Sequence, residues 1–462
     1  MNILAINGSP SANDSVTLRF VRYLEKMHPE LSIDVENTGA QIRVYEDKPE
    51  KLAALMDKAA SADLIIWFFP VYIYLVPYNL KRLIELIEER CPDALRGKYC
   101  FMLSTSIHFF DTLAHDYMHE IADDLGMKVL GAWSATAGDL LDEQHRAAYD
   151  LFINRILSDA ESHVPTQRHH TPIVCTPLTY VSGCSPEKVQ LRGKKVLILS
   201  DEHDGDNLSR MTARLRERLD GDVKFLNLHD MKINGGCLGC FHCTFDHQCV
   251  YGDKDDIKHI YNEEIPWADI VIYAGNIVDR FLSSRWKLFM DRRFMNNHTP
   301  FLPGKQLGVI LSGPYGSCPV LHSFFRAEAE VNDGNLAGLV TDEASSSEEL
   351  DAMLDRFCTD IVKKAEAGFK RPPCFEGIGG KKLFRDEMYG NLRFVFRADH
   401  DYYRTHGWYD FPQNDHKTMI KNRIAIAATS SDKVKDVIRK EMRKRMLEPY
   451  DHLLETLAIK KE

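Results

Sequence analysis

Four cysteines fall within thirteen residues, Cys237, Cys240, Cys243 and Cys249, with two residues between the first three and five before the last. Thiolates spaced this way on a turn can converge on one centre, and a fourth closes it. Successive cysteines favour a 4Fe–4S cluster over structural zinc, which more often uses two separated Cys-x-x-Cys knuckles. Burial as small apolar groups is the alternative that needs no metal. A second candidate is the loop Asn7-Gly8-Ser9-Pro10-Ser11-Ala12-Asn13-Asp14-Ser15-Val16-Thr17. Before a helix, such a loop offers hydroxyls and backbone N–H groups where the helix dipole favours an anion such as phosphate. Its plainer reading is a turn and a helix cap. A third is Pro70-Val71-Tyr72-Ile73-Tyr74, with Ser104-Thr105-Ser106 nearby in the pattern. An aromatic turn beside hydroxyl donors suits a flat apolar ring; a hydrophobic loop under a partner is the alternative.

These segments need elements to hold them, and the chain supplies the same set twice. Ile3-Leu4-Ala5-Ile6 and Val196-Leu197-Ile198-Leu199 each read as a strand entering a polar loop and then a helix. Asp63 with Lys81, and Asp269 with Lys287, recur at an offset of about 206 residues, as do Gly97-Lys98 and Gly304-Lys305. Short aliphatic strands alternating with helical patterns specify βαβ units on a parallel sheet with both faces covered. The fold class expected is α/β: two doubly wound parallel sheets in tandem plus a mainly helical C-terminal extension. The domains expected are 1–160, a linker 161–193, 194–372 and the extension 373–462. Ligands in such sheets sit at the carboxyl ends of the strands, where the hydroxyl loop, the Pro-Val-Tyr turn and Ser104–Ser106 all fall.

Together, the Gly-Ser-Pro loop and the Pro-Val-Tyr turn followed by Leu-Lys resemble the flavodoxin-like NADPH-dependent FMN reductase family over roughly residues 1–150. The resemblance implies that Ser9, Ser11, Asn13, Ser15 and Thr17 hold an FMN phosphate. It also implies that Pro70, Val71, Tyr72 and Ile73 line the isoalloxazine, with Ser104, Thr105 and Ser106 closing the pocket. Asp14 departs from that pattern and must point outward. The cysteine spacing, with Asp255-Asp256, Trp286-Lys287 and Asp291-Arg292, resembles the iron–sulfur flavoproteins of anaerobes over about residues 194–320. That resemblance implies a 4Fe–4S cluster beside FMN and a pairing of flavodoxin-like units, here a dimer made covalent.

The second copy departs from the first in its loop, Ser200-Asp201-Glu202-His203-Asp204-Gly205-Asp206-Asn207. Four carboxylates there would repel a phosphate. Asn276-Ile277-Val278 replaces the Pro-Val-Tyr turn. The second copy is therefore expected to hold no FMN in the usual way, leaving flavin to the first copy and cysteines to the second.

With 462 residues, 44% hydrophobic and 27% charged, the chain reads as globular and excludes disorder and fibrous repeats. A net charge of -10 argues against non-specific nucleic-acid or anionic-membrane binding. The first residues lack a signal-peptide pattern, and Leu64–Leu80 is broken by Pro70 and Pro77, so a cytoplasmic protein without membrane spans is expected. Cys91, Cys100, Cys175, Cys184, Cys318, Cys358 and Cys374 are scattered and read as packing residues. The pair His115 and His119 reads as a surface helix, and His169-His170 as solvated linker.

The function expected is an FMN-dependent oxidoreductase passing electrons between a ferredoxin or NAD(P)H and a small acceptor, with homo-oligomers expected. Tyr72 and His108 are the candidate proton-handling residues. The alternatives are a clusterless FMN or quinone reductase and a non-catalytic electron carrier or redox sensor. The basic C-terminal helix could attract nucleic acid or an acidic ferredoxin, though solvation is its plainer reading and no nucleic-acid partner is expected.

Overall fold

A computed structural model of the chain describes residues 1–174, 178–184, 187–429 and 431–459, with side-chain surroundings through residue 456. Cys175 lies outside the described residues. The chain divides into two compact units, Met1–Tyr402 and Tyr403–Glu462.

The first unit contains two five-stranded sheets. In the first, β1 (Asn2–Asn7), β2 (Ser32–Glu36), β3 (Leu64–Pro70), β4 (Tyr99–Thr105) and β5 (Lys128–Ala135) lie in the order 2-1-3-4-5. All neighbours are parallel, with Ile3 opposite both Ile33 and Leu64. In the second, β6 (Val189–Ser200), β7 (Leu219–Asn227), β8 (Ile270–Asn276), β9 (Gln306–Ser312) and β10 (Asn335–Thr341) lie in the order 10-9-8-6-7. Renumbered from β6, this is again 2-1-3-4-5, the flavodoxin-like order, so the tandem expectation holds. The aliphatic strands β3 and β8 are buried along six consecutive residues each, because helices cover both faces.

The two halves pack through equivalent helices, Tyr78–Arg90 and Ser284–Arg292. Each carries a buried Lys at its second turn and a carboxylate four residues on: Lys81 with Glu85, and Lys287 with Asp291. Each carboxylate satisfies the N-terminus of the opposite helix: Glu85 accepts from the Ser284 N–H, and Asp291 from the Tyr78 N–H at 2.7 Å. Each lysine also reaches the other half's loop, Lys81 to Asp279 and Lys287 to the Tyr72 carbonyl, both at 2.7 Å. The repeat read in the sequence is thus a pseudo-two-fold pairing. One apolar core runs across it, uniting Trp67, Tyr74 and Leu83 with Phe281, Trp286 and Phe324.

Beyond β10 come the helices Ser347–Glu366, Phe375–Tyr389 and Arg397–Thr405. The second unit has the exposed helices His416–Ala428 and Asp432–Ile459, with Tyr403, Trp408, Tyr409 and Phe411 packed ring to ring near its start. Among the described residues no helix is long and apolar enough to cross a membrane.

Candidate functional site

The first loop is shaped by its own side chains. Asn7 accepts the Ser9 N–H at 3.0 Å and donates to the Ala12 carbonyl at 3.1 Å; Ser9 in turn accepts the Ser11 N–H. The chain then turns through Ala12–Asp14 into the helix Val16–Met27. Ser15 is its N-cap residue, yet its side chain makes no capping bond, so its hydroxyl and the first-turn N–H groups stand uncommitted. Ser9 and Ser15 are buried and Asp14 is exposed, as the resemblance requires. Thr17, in contrast, is buried with its hydroxyl 2.6 Å from that of Thr105, and Asn13 accepts from Asn37. The hydroxyls of Ser9 and Ser15 at a twelve-residue helix N-terminus fit a phosphate in donor chemistry, whereas the Ser11 hydroxyl is already given to the Leu238 carbonyl.

Where β3 ends, Tyr72 and Leu75 exchange backbone hydrogen bonds, which forces Ile73 and Tyr74 to φ of 43° and 68°. A β-branched residue at positive φ is costly, and such strain concentrates at functional loops. Behind this turn lies a cavity of about 90 Å³. Val71, Ile73, Ser106 and Phe109 line it from the first half, Asn297 and His298 from the second, and Phe384 from the helix Phe375–Tyr389. Ser104 is buried against His115 at 2.7 Å and Thr105 is taken by Thr17, so Ser106 is the member of that trio that reaches the cavity.

The two candidate proton-handling residues do not share this cavity. The Tyr72 ring stacks on Phe294 (6.4 Å, 15°), and burial, reinforced by Cys237, Asp291 and Cys240, pushes its hydroxyl well above the ordinary range. His108 is half exposed, 2.8 Å from Asp111, and borders a larger cavity of about 550 Å³ across Phe109. Burial raises the Asp111 carboxyl, but hydrogen bonds from Ser134 and His108 outweigh it and hold it low.

All four cysteines of the motif line one cavity, closed by Tyr251, Arg292 and Phe294. The Cys243 thiol has its single hydrogen shared between two acceptors, the Phe294 carbonyl and Asn297 Oδ1, both at 3.3 Å. Arg292 lies 3.8 Å from Cys249, pairs with Asp255 at 2.7 Å, and keeps a buried Nε without a partner. Burial pushes the Cys237 and Cys243 thiols up to about 12, so a bound metal would have to displace their protons. Among the described residues no three His, Cys, Asp or Glu side chains are already gathered about one ion. In donor type, four thiols lining one cavity beside a buried guanidinium suit an anionic iron–sulfur centre, but they would have to draw together to hold one. Of the remaining cysteines, Cys100, Cys318 and Cys358 are buried, while Cys184 and Cys374 are exposed.

The motif is seated on the first half's loops. Ser11 donates to the Leu238 carbonyl at 3.0 Å, Gly236 abuts Tyr78 and Asn79, and Gly239 leaves no room for a Cβ beside the Tyr72 hydroxyl. Arg43 donates to the Asn234 carbonyl just upstream. The cysteines of one copy therefore adjoin the hydroxyl loop and aromatic turn of the other.

The second copy's own anion position is filled by its carboxylates. Asp206 caps the helix Asn207–Arg218 through the Ser209 N–H at 2.6 Å, and also accepts from the His203 N–H. Asp201 is 1% exposed and accepts from the Asn276 N–H and the Ser283 hydroxyl. Glu202 takes the hydroxyls of Ser200 and Thr212. The dipole and donors that would meet a phosphate already meet acids.

Sequence reasoning missed Arg293, Phe294 and Asn297–Thr299, which line the cavity from the second half, and Asp399 of the helix Arg397–Thr405, which holds His298 from behind. Neither has a spacing that marks it. It also missed that His119 packs against His169 and edge-on to His170, 4.3 and 5.4 Å between centroids, with Asp123 accepting from His170.

Comparison with known proteins agrees with the assignment of the first half. Residues 1–139 match the model of the family described as NADPH-dependent FMN reductase. An FMN-dependent NADH:quinone oxidoreductase 2 from Pseudomonas syringae pv. tomato is 31% identical over 116 residues, 20% of this chain and 56% of that protein. The chain thus spans about half the length of the curated relative it matches. Among solved structures, an NADH:FMN oxidoreductase in its apo form is 21% identical, with 36% of this chain and 94% of that one covered and a TM-score of 0.30. A flavoenzyme NAD(P)H:(acceptor) oxidoreductase from Paracoccus denitrificans is 19% identical, with 35% and 98% covered and a TM-score of 0.29. The family likeness therefore lies in residues 1–139, and the chain builds the same strand order a second time behind them.

Proposed function

We propose that the chain is an FMN-dependent oxidoreductase that takes electrons from NAD(P)H and delivers them to a small quinone-type acceptor. FMN, when bound, supplies the exchange of two electrons with a nicotinamide and of one or two with an acceptor. Ser9 and Ser15 would hold its phosphate, and Val71, Tyr72, Ile73 and Ser106 would border its ring. Cys237, Cys240, Cys243 and Cys249 would hold a 4Fe–4S cluster, supplying one-electron transfer next to the flavin site. The observation that carries this reading is the seating of the cysteine loop on Ser11 and Tyr72. Lys287, by holding the Tyr72 carbonyl, fixes the aromatic turn from the half that bears the cysteines.

An anaerobic preparation assayed for FMN, iron and sulfide tests it. One FMN with about four irons per chain supports the whole reading. FMN without iron supports a clusterless NAD(P)H reductase, a reading favoured by the four thiols not being gathered about one point. Two FMN per chain would contradict the acid-filled second loop. Reduction by ferredoxin but not by NAD(P)H would move the donor assignment to ferredoxin. Sedimentation at several concentrations tests the homo-oligomer.

A further inference from the structure

We infer that the helix Asp432–Ile459 is the surface on which two copies of the chain pair, crossing antiparallel about Met446. The inference is independent of flavin and cysteines, and gives the homo-oligomer proposed above a specific surface. A large apolar side chain left in water is ordinary when single and informative when it recurs in register. On this helix it recurs. Val434, Ile438, Met442, Met446, Tyr450 and Leu454 stand at successive intervals of four residues. Met442, Met446, Tyr450 and Leu454 are each between 51% and 66% exposed.

Four residues overshoot one helical turn by about 40°, so the row winds round the helix as a ridge and does not line one side. A ridge of that kind packs between the like ridges of a second helix, with the two axes crossing at about 50°. A second copy of this helix presents the same ridge. Under a two-fold axis through Met446, Met442 faces Tyr450 and Ile438 faces Leu454, and each contact is made twice.

Charge selects both the direction and the occupant. Up to Met446 the helix carries seven Lys or Arg against three acids; beyond it come Glu448, Asp451 and Glu455, with no Lys or Arg before its end at Ile459. At the start, Lys435 pairs with Asp432 at 2.9 Å and Arg439 with Asp436 at 3.0 Å. Arg443, Lys444, Arg445, Glu448 and Asp451, which flank the crossing, have no ion-pair partner among the described residues. A parallel pair would set basic segment against basic segment. The antiparallel pair lays each basic segment over the other copy's acids. An anionic bilayer or a nucleic acid would attract the first half of the helix and repel the second. The neighbouring helix His416–Ala428 carries Lys417, Lys421 and Arg423 and no acid, so it offers no counter-charge to residues 443–445.

Sedimentation equilibrium of the full chain tests the inference, with helical content followed by circular dichroism. Arg443→Glu with Lys444→Glu and Arg445→Glu makes both halves of the helix acidic. Glu448→Lys with Asp451→Lys and Glu455→Lys makes both basic. Each variant alone should stay monomeric at concentrations where the wild-type chain is a dimer, and an equimolar mixture of the two should dimerise again. Met446→Glu sets two carboxylates together on the axis and should weaken pairing about a hundredfold. A dimer that survives either charge reversal or Met446→Glu overturns the inference; the homo-oligomer then stands and its surface lies elsewhere. A mixture of variants with native helical content that stays monomeric overturns it too, as does a wild-type chain that is monomeric throughout. Capture of that monomer by phosphatidylserine vesicles would assign the helix to a membrane surface instead.

Discussion

The ammonium of Lys81 lies 2.7 Å from the carboxylate of Asp279, across the boundary between the two halves, with both side chains fully buried. Glu85 shares the same lysine at 3.1 Å, and Tyr117 donates to the same aspartate at 2.8 Å. Removing one partner of a buried pair leaves an uncompensated charge, which costs about 3–5 kcal/mol. Lys81→Met should therefore lower unfolding free energy by about that amount, read by denaturant titration. Lys81→Met with Asp279→Leu should recover a substantial part of the loss. If the double variant is no better than the single one, the pair is not what holds this boundary.

Gly239 sits at φ 63°, and a Cβ there would stand 2.1 Å from the Tyr72 hydroxyl. Gly239→Ala should destabilise by about 1–2 kcal/mol from backbone strain alone and lift the cysteine loop off the aromatic turn. Faster alkylation of Cys237, which is half-buried in the native chain, reports the lift. Tyr72→Phe in the same background removes the clashing oxygen and should slow alkylation again.

The two anion loops make opposite forecasts at equivalent places. Ser15 makes no cap bond through its side chain, so Ser15→Ala should leave thermal stability within about 0.5 kcal/mol and weaken FMN binding about tenfold or more. Asp206 is a cap, so Asp206→Ala should cost about 1 kcal/mol of stability and leave FMN affinity unchanged. Paired melting and flavin-titration curves check both.

Asp201 is pushed up to about 6 by burial, which hydrogen bonds from Ser283 and Asn276 only partly oppose. Its folded value lies above the unfolded one, so its favourable contribution is full below about pH 4 and is lost as pH rises through about 6. The free energy at stake is about 2–3 kcal/mol. Asp201→Asn removes this titration. The stability of the variant relative to the native chain should rise between about pH 4 and 6 and level off above, measured as the difference in denaturant midpoints. A flat difference would mean that Asp201 ionises without cost.

The repeat was legible because strands and charge landmarks keep their spacing. Asp63 and Asp269, and Lys81 and Lys287, mark equivalent places in the sequence, and the lysines prove to be the residues that reach across the pairing. The hydroxyl loop was legible for a local reason: serines before a helix place donors at its N-terminus. Thr17 reads identically in the sequence, but the helical turn directs it inward to Thr105. The rear of the cavity was not legible. His298 and Asp399 are 101 residues apart and meet through tertiary packing, with no periodicity to bring them together in advance. His119 and the His169-His170 pair were hidden likewise, since a connector's path is not written in its composition.

The reciprocal capping of Glu85 and Asp291 has a consequence for how such a chain can change. In a symmetric homodimer every substitution is made twice, so an acid placed in the phosphate loop would abolish both sites at once. Joining the halves in one polypeptide keeps the interface while releasing each half from its twin. The tether also holds the partner at an effective concentration that dilution cannot lower. One half is then free to fill its pocket with carboxylates and present thiols to its neighbour, while the other keeps the older binding loop intact. Divergence that would destroy a symmetric dimer becomes specialisation between the halves of one chain.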